Sequence, residues 1–205
     1  MIRVLVADDQ TIIAEALGAL LRTEPDLEVV GLATSAPESV RQAAEAAPDV
    51  VLMDVQMPGA PDCRDGFEAT AAIVATRPQT KVIVLTTFGR PGYLRRAMEA
   101  GAVGFMVKDA SADRLVDAVR RAYAGFRVVD PDLAAASLSI GPSPLTRRET
   151  EVLAAAAGGG STAAVAAATF LSEGTVRNHL STAIGKLGAG SRAEAVRIAT
   201  DNGWL

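Results

Sequence analysis

The sequence predicts an α/β chain: a doubly wound five-stranded parallel sheet followed by a small all-helical domain of four helices. Three observations lead there. Short apolar runs alternate with helical periodicities through the first 124 residues. From Phe126 to Pro144 a stretch with Pro131, Gly141, Pro142, Pro144 and several serines interrupts that alternation, as a linker does. Beyond it every periodic segment has the spacing of a helix. The boundaries read from this are 1–124, 125–143 and 144–205.

Ile2–Ala7 is an apolar run of strand length, and Thr11–Arg22 repeats Ile13, Ala16, Leu17, Leu20 and Leu21 at helical spacing. Glu28–Ala33 is the next strand and Ala36–Ala46 an alanine-rich helix closed by Pro48. Val50–Met53 is unbroken apolar sequence, fit for a parallel strand buried on both faces, and it ends in Asp54 with Met57-Pro58 close behind. A helix over Phe67–Thr76 precedes the strand Lys81–Thr86. A helix over Tyr93–Ala100 ends at Gly101, a residue suited to a left-handed cap. Val103–Val107 is the fifth strand and Ala112–Tyr123 the helix after it. In the second half, Thr146 and Glu149 form a capping-box pattern ahead of Arg147–Ala157, and Thr162–Thr169, Glu173–Leu187 and Arg192–Asp201 follow as helices.

Composition narrows the function classes. The chain of 205 residues is 49% apolar, enough for real cores, and its single cysteine, Cys63, excludes an internal disulfide. The start, MIRVLVADDQ, enters a strand at once, so no signal peptide is expected. Val152–Leu171 is too alanine-rich, and too interrupted by Gly158-Gly159-Gly160, to span a membrane. A cytoplasmic protein with no membrane partner is the expectation. The net charge of −4 is uneven: residues from Ser143 onward carry +1, which leaves −5 on the rest and permits nucleic-acid binding by the second half.

Two of the strands end in acids. Asp54 closes one, and Asp8-Asp9 close another. Open α/β sheets hold their ligands at the carboxyl ends of strands. Three carboxylates gathered there are costly to hold without a cation, which points to a Mg²⁺ site with a nucleophilic aspartate.

VLVADD, VVLMDVQMPG, VIVLTT and GFMVKD, in this order at successive strand ends, resemble the receiver domain of a two-component response regulator, a flavodoxin-like fold. The resemblance covers about the first 124 residues. It implies that Asp54 accepts a phosphoryl group, and that Asp9, Asp54 and the backbone carbonyl of Gln56 bind Mg²⁺ with Asp8 helping through water. It also implies that Lys108 pairs with the phosphate, that Thr86 turns toward it, and that Phe105 moves inward as Thr86 shifts. Two departures stand out. The loop PGAPDCRDG is about four residues longer than the usual turn, an insertion at Pro61–Arg64 read as tolerated surface. Lys108 is followed by Asp109 where many receivers carry proline.

LTRRETEVL and FLSEGTVRNHLSTAIGKLGAGSRAEAVRIA resemble the LuxR-type helix-turn-helix. Ser172 caps a helix in which Val176, Leu180, Ile184 and Leu187 face inward and Arg177, Asn178, Ser181 and Thr182 outward, as a recognition helix requires. Arg177 can reach phosphate or guanine and Asn178 a base edge, while His179 lies on the border between surface and core. The resemblance makes Thr175 and Lys186 backbone contacts. In STAAVAAAT, Ala164, Ala168 and Thr169 stand where such domains carry an acid or a larger apolar residue. Few basic groups line this face, so a two-fold dimer on paired half-sites is expected, with Arg192–Thr200 as the pairing helix.

Together the halves resemble a response regulator of the NarL/FixJ family, and TTFGRPGYLRRAMEAGAVGF with LSEGTVRNHLSTAIGKLG resembles its DesR-like branch. The resemblance implies a non-enzymatic transcription factor whose Asp54 is phosphorylated by a histidine kinase. Dimerisation and sequence-specific DNA binding then follow. The competing reading is an atypical receiver controlled without phosphorylation, which the intact acids and Lys108 disfavour. An aspartate-nucleophile phosphatase of the haloacid dehalogenase type would need an acid two residues after the nucleophile, and that position is Gln56.

Overall fold

The computed structural model describes residues 1–87, 89, 91–130, 133–135 and 141–205. The described residues form two compact units, one of Met1–Gly89 with Leu94–Ala134, the other of Ala135–Leu205 together with 90–93.

In the first unit strands and helices alternate as β1 (Ile2–Ala7), α1 (Thr11–Leu21), β2 (Leu27–Ala33), α2 (Ala36–Ala46), β3 (Val50–Asp54) and α3 (Gly66–Thr76). Then come β4 (Lys81–Thr86), α4 (Pro91–Glu99), β5 (Gly104–Val107), α5 (Ala112–Tyr123) and β6 (Val128–Val129). All pairings are parallel, in the order β2-β1-β3-β4-β5-β6. The inner residues of β3 and β4 are apolar on both faces, which helices cover, with Lys81, Asp54 and Thr86 at the strand ends. Val50, Leu52, Ile83 and Leu85 pack with Val4, Val6, Leu115 and Val119 on one face. The pleat sends Val51, Met53, Val84 and Phe105, all buried, to the other.

The expectation of five strands is corrected to six. Two valines between Arg127 and Asp130 are too short a run to read as a strand, so the sequence alone reads as linker after α5. Gly125, at φ 88°, turns the chain back, and Val128 then aligns with Gly104 on the open edge of β5. Within that linker the sequence allows a helical turn or two over Asp132–Leu138, a stretch that falls largely outside the described residues. Elsewhere observed and expected ends differ by one or two residues, the ordinary fraying of element ends. Gly101 takes the expected left-handed cap at φ 91°.

The second unit holds α6 (Arg147–Ala157), α7 (Thr162–Thr169), α8 (Glu173–Lys186) and α9 (Arg192–Asp201). Each begins on a hydroxyl cap: Thr146, Ser161, Ser172 and Ser191. Val152, Leu153, Val165, Val176, Leu180 and five alanines make its core. α7 ends on Phe170 in the left-handed region at φ 55°, with its ring 94% exposed. That cap makes the tight turn into α8 at a position where glycine would be unstrained.

Candidate metal centre and nucleic-acid interface

β1 and β3 are neighbours, and the order of the sheet reverses between them, so their carboxyl ends open the crevice where such sheets bind ligands. β1 leads into Asp8 and Asp9, and β3 ends in Asp54. One carboxylate oxygen from each lies within 4.8 Å of the others. Asp8 and Asp54 are buried while Asp9 faces solvent, leaving one open side. Lys108, at the end of β5, reaches the same point: its Nζ lies 2.7 Å from Asp8 Oδ2 and 3.1 Å from Asp54 Oδ1.

Burial pushes the Asp54 carboxyl above the usual aspartate range; Lys108 pulls it part of the way back, and the Asp8 charge adds to the rise. Burial also opposes the charge on Lys108, but the hydrogen bonds and attraction of Asp8 and Asp54 outweigh it and raise the amine. Three acids against one ammonium leave a surplus of two negative charges at the mouth of the crevice. That donor set fits a hard divalent cation with oxygen ligands. The site can therefore hold a metal, with Asp8, Asp9 and Asp54 as its carboxylates.

The remaining candidates lie around this centre. Thr86 is buried at the end of β4, and its carbonyl accepts the Lys108 backbone N–H at 2.8 Å. Gln56 is exposed two residues after Asp54. The Lys108–Asp109 peptide bond is trans. Phe105 is fully buried, opposite Val84 on one side and Val129 on the other. Any switching movement starts from a ring already inside.

The long loop after Asp54 is closely folded. Ala60 and Cys63 exchange backbone hydrogen bonds of 2.8 and 3.0 Å, and Cys63 is buried. Burial raises its thiol, with Glu68, Asp62 and Asp65 adding to the rise. Asp65 caps α3 through the N–H groups of Phe67 and Glu68, and its other oxygen takes Arg96 of α4 at 2.9 Å. Arg96 also stacks over the Phe67 ring, 4.3 Å from its centre. Gly66 has no room for a side chain: a Cβ there would stand 1.9 Å from the Asp54 carbonyl oxygen. Sequence reasoning singled out neither Gly66 nor the Asp65–Arg96–Phe67 cluster. The Asp-Gly pair was a visible turn signal, but the link to α4, 31 residues on, left none.

In the second unit Val176 and Leu180 are buried, with Ile184 and Leu187 packed beside them. Arg177, Asn178, Ser181 and Thr182 are exposed, and His179 and Thr175 half-buried. Arg177 makes no ion pair among the described residues, so its guanidinium is available to an anion. The Thr175 hydroxyl lies 2.8 Å from that of Ser172, and its N–H is capped by Ser172. Lys186 is engaged elsewhere: its Nζ lies 3.0 and 2.7 Å from the two oxygens of Glu149.

Over residues 4–120 the chain matches the response regulator receiver domain, and over residues 143–199 the bacterial regulatory proteins of the luxR family. It belongs to the two-component response regulators with a LuxR-type DNA-binding domain. This response regulator is 42% identical over 205 residues, 100% of both chains, to the uncharacterized transcriptional regulatory protein YvfU of Bacillus subtilis (strain 168). It is 39% identical, again over 205 residues and 100% of both, to the transcriptional regulatory protein DesR of the same organism. Among solved structures, response regulator ChrA of a heme-sensing two-component system shares 33% identity at a TM-score of 0.58, covering 100% of this chain and 98% of that one. As a member of this family the response regulator joins a receiver to a DNA-binding unit and controls transcription. Among the described residues no helix is long and apolar enough to cross a membrane.

Proposed function

We propose that Asp54 is the phosphoacceptor of this response regulator, and that a sensor histidine kinase is its donor. A carboxylate oxygen of Asp54 attacks the phosphorus of the phosphohistidine, the P–N bond breaks, and the imidazole departs with a proton, leaving an aspartyl phosphate. The supporting observation is the meeting of Asp8, Asp9, Asp54 and Lys108 at one strand-end crevice. Mg²⁺ is the divalent ion we assign there, held by Asp9, Asp54 and the Gln56 carbonyl with Asp8 through water; when bound it offsets the charge of the phosphoryl oxygens. Lys108 then exchanges an aspartate partner for a phosphate oxygen, and Thr86, one strand over, offers its hydroxyl. Phe105 transmits the change along β5.

In the DNA-binding half, α8 is the recognition helix. Arg177, Asn178 and Ser181 face the major groove, with Thr175 and His179 toward the backbone. Phosphorylation favours a homodimer that sets two recognition helices on paired half-sites. The functional division is the one read from the sequence, 1–124, 125–143 and 144–205, with β6 joining the sheet from the first residues of the linker. The reading places the protein in the cytoplasm as a non-enzymatic regulator. In vitro selection from random duplexes, with and without acetyl phosphate and Mg²⁺, tests it. Enrichment of two half-sites about one helical turn apart, in the phosphorylated sample, is expected. Equal enrichment in both samples would contradict control by phosphorylation.

A further inference from the structure

The sixth strand takes no part in the site, yet it holds the strand that carries Lys108. β6 lies on β5 in the register Gly104↔Val128 and Phe105↔Val129, and the Val128 N–H donates to the Val103 carbonyl at 3.0 Å. With β6 in place, β5 has a partner on each side and Phe105 is sealed. Beyond β6, Asp130 pairs with Arg114 of α5 at 2.9 Å. Leu133 lies against Gly89, in the chain that leaves β4. A Cβ on Gly89 would stand 2.4 Å from Leu133 Cδ2 and 3.3 Å from Val107 Cγ1. Gly89 lies three residues after Thr86, and Val107 immediately before Lys108. The chain after β5 thus meets β5 at Gly104 and Phe105 through β6, and the chain leaving β4 at Gly89 through Leu133, while Gly89 in turn lies beside Val107.

Its hold is slight. The ladder is two residues long, and the Arg114 partner of Asp130 has a side chain 59% exposed, where ion pairs contribute little. A groove of about 350 Å³ separates β6 from α5, lined by Met106, Val107, Ala110, Arg114 and Val128 among others. An edge strand with a void beside it gives up few contacts when it leaves.

We propose that β6 and Leu133 form a displaceable strap over the switch face, which reports the state of the carboxylate site to the chain leading into the DNA-binding unit. The proposal rests on Asp54 as phosphoacceptor. When Lys108 turns from Asp8 and Asp54 to a phosphoryl oxygen, the end of β5 and the chain at Gly89 shift. The Phe105–Val129 pairing and the Leu133–Gly89 contact both sit on those two elements. Their loss frees the strap, and the linker is lengthened by the residues the strap had held.

Hydrogen exchange of the full-length protein, followed by mass spectrometry, tests the strap in two arms. In the first, wild type is treated with acetyl phosphate and Mg²⁺ while intact mass reports the adduct. Exchange at Val128–Asp130 is expected to rise about tenfold in step with the adduct. An adduct with unchanged exchange there would overturn the strap while leaving the phosphoacceptor reading intact. The second arm needs no phosphorylation. Val129→Asp, or the milder Val128→Ala, is expected to raise exchange not only at β6 but also at Thr87, Gly89 and Lys108. A rise confined to residues 126–130 would show an edge strand with no tie to the site. If no adduct forms, the phosphoacceptor reading fails, and the second arm still decides the coupling.

Discussion

The Glu149 carboxylate accepts the Thr146 N–H at 2.7 Å and both near contacts of the Lys186 ammonium, so one buried group caps α6 and anchors the last turn of α8. This pairing suits Lys186 to hold α8 in place, beside the backbone contact that the family resemblance implies for it. The two roles separate by salt dependence. Removing a phosphate contact lowers the slope of log affinity against log salt by about one unit, whereas removing a strut weakens binding at every salt concentration equally. Fluorescence anisotropy on a selected duplex should show the smaller slope for Arg177→Ala and an unchanged slope for Lys186→Met. Lys186→Met should in addition lose about 1–3 kcal/mol of stability, because Glu149 stays buried without its partner. The pairing has a pH signature as well. Lys186, followed by the Thr146 N–H, holds Glu149 below its ordinary 4.5. A depressed carboxylate stabilises the fold above the unfolded-state value, and that contribution is lost as pH falls through the folded-state value. Urea unfolding of wild type and Glu149→Gln should differ most from pH 7 down to about 5 and converge as pH drops below about 4. The capping box was legible because its residues are three apart. Lys186 lies 37 residues away, and only the packing of α6 against α8 joins them.

At the scale of elements, most of the sheet could be read from sequence because each buried strand is a continuous apolar run and each helix has its own period. β6 could not, since two valines carry no periodicity and their pairing depends on the edge that β5 presents. Phe170 gave no warning either: nothing in the residue type announces a left-handed cap, and the turn into α8 imposes it. Gly66 is the element-scale constraint closest to the site. α3 starts directly against the Asp54 carbonyl, so Gly66→Ala must move either the helix or the Asp54 backbone by more than an ångström. We expect it to cost about 2–4 kcal/mol in chemical denaturation and to slow phosphorylation in the protein that remains folded. A variant as stable and as readily phosphorylated as wild type would show that α3 has slack the packing does not suggest. The long loop follows the same logic. Its insertion was visible as extra residues, while its closure through Ala60–Cys63, and the tie from Asp65 to Arg96, are tertiary facts.

For the whole molecule, the division of labour follows from charge and chemistry. The acids gather at one crevice of the first unit, and the second unit, near neutral overall, exposes Arg177 on α8. One such face offers too few cations to hold DNA tightly at physiological salt, which is why the account requires two copies and a signal that brings them together. All of it depends on Asp54. The most direct measurement is intact mass of the full chain after incubation with acetyl phosphate and Mg²⁺, beside Asp54→Ala and a chelator control. The account predicts a single phosphoryl adduct in wild type and none in the other two. No adduct on folded wild type with metal present, or an adduct that persists in Asp54→Ala, would contradict it.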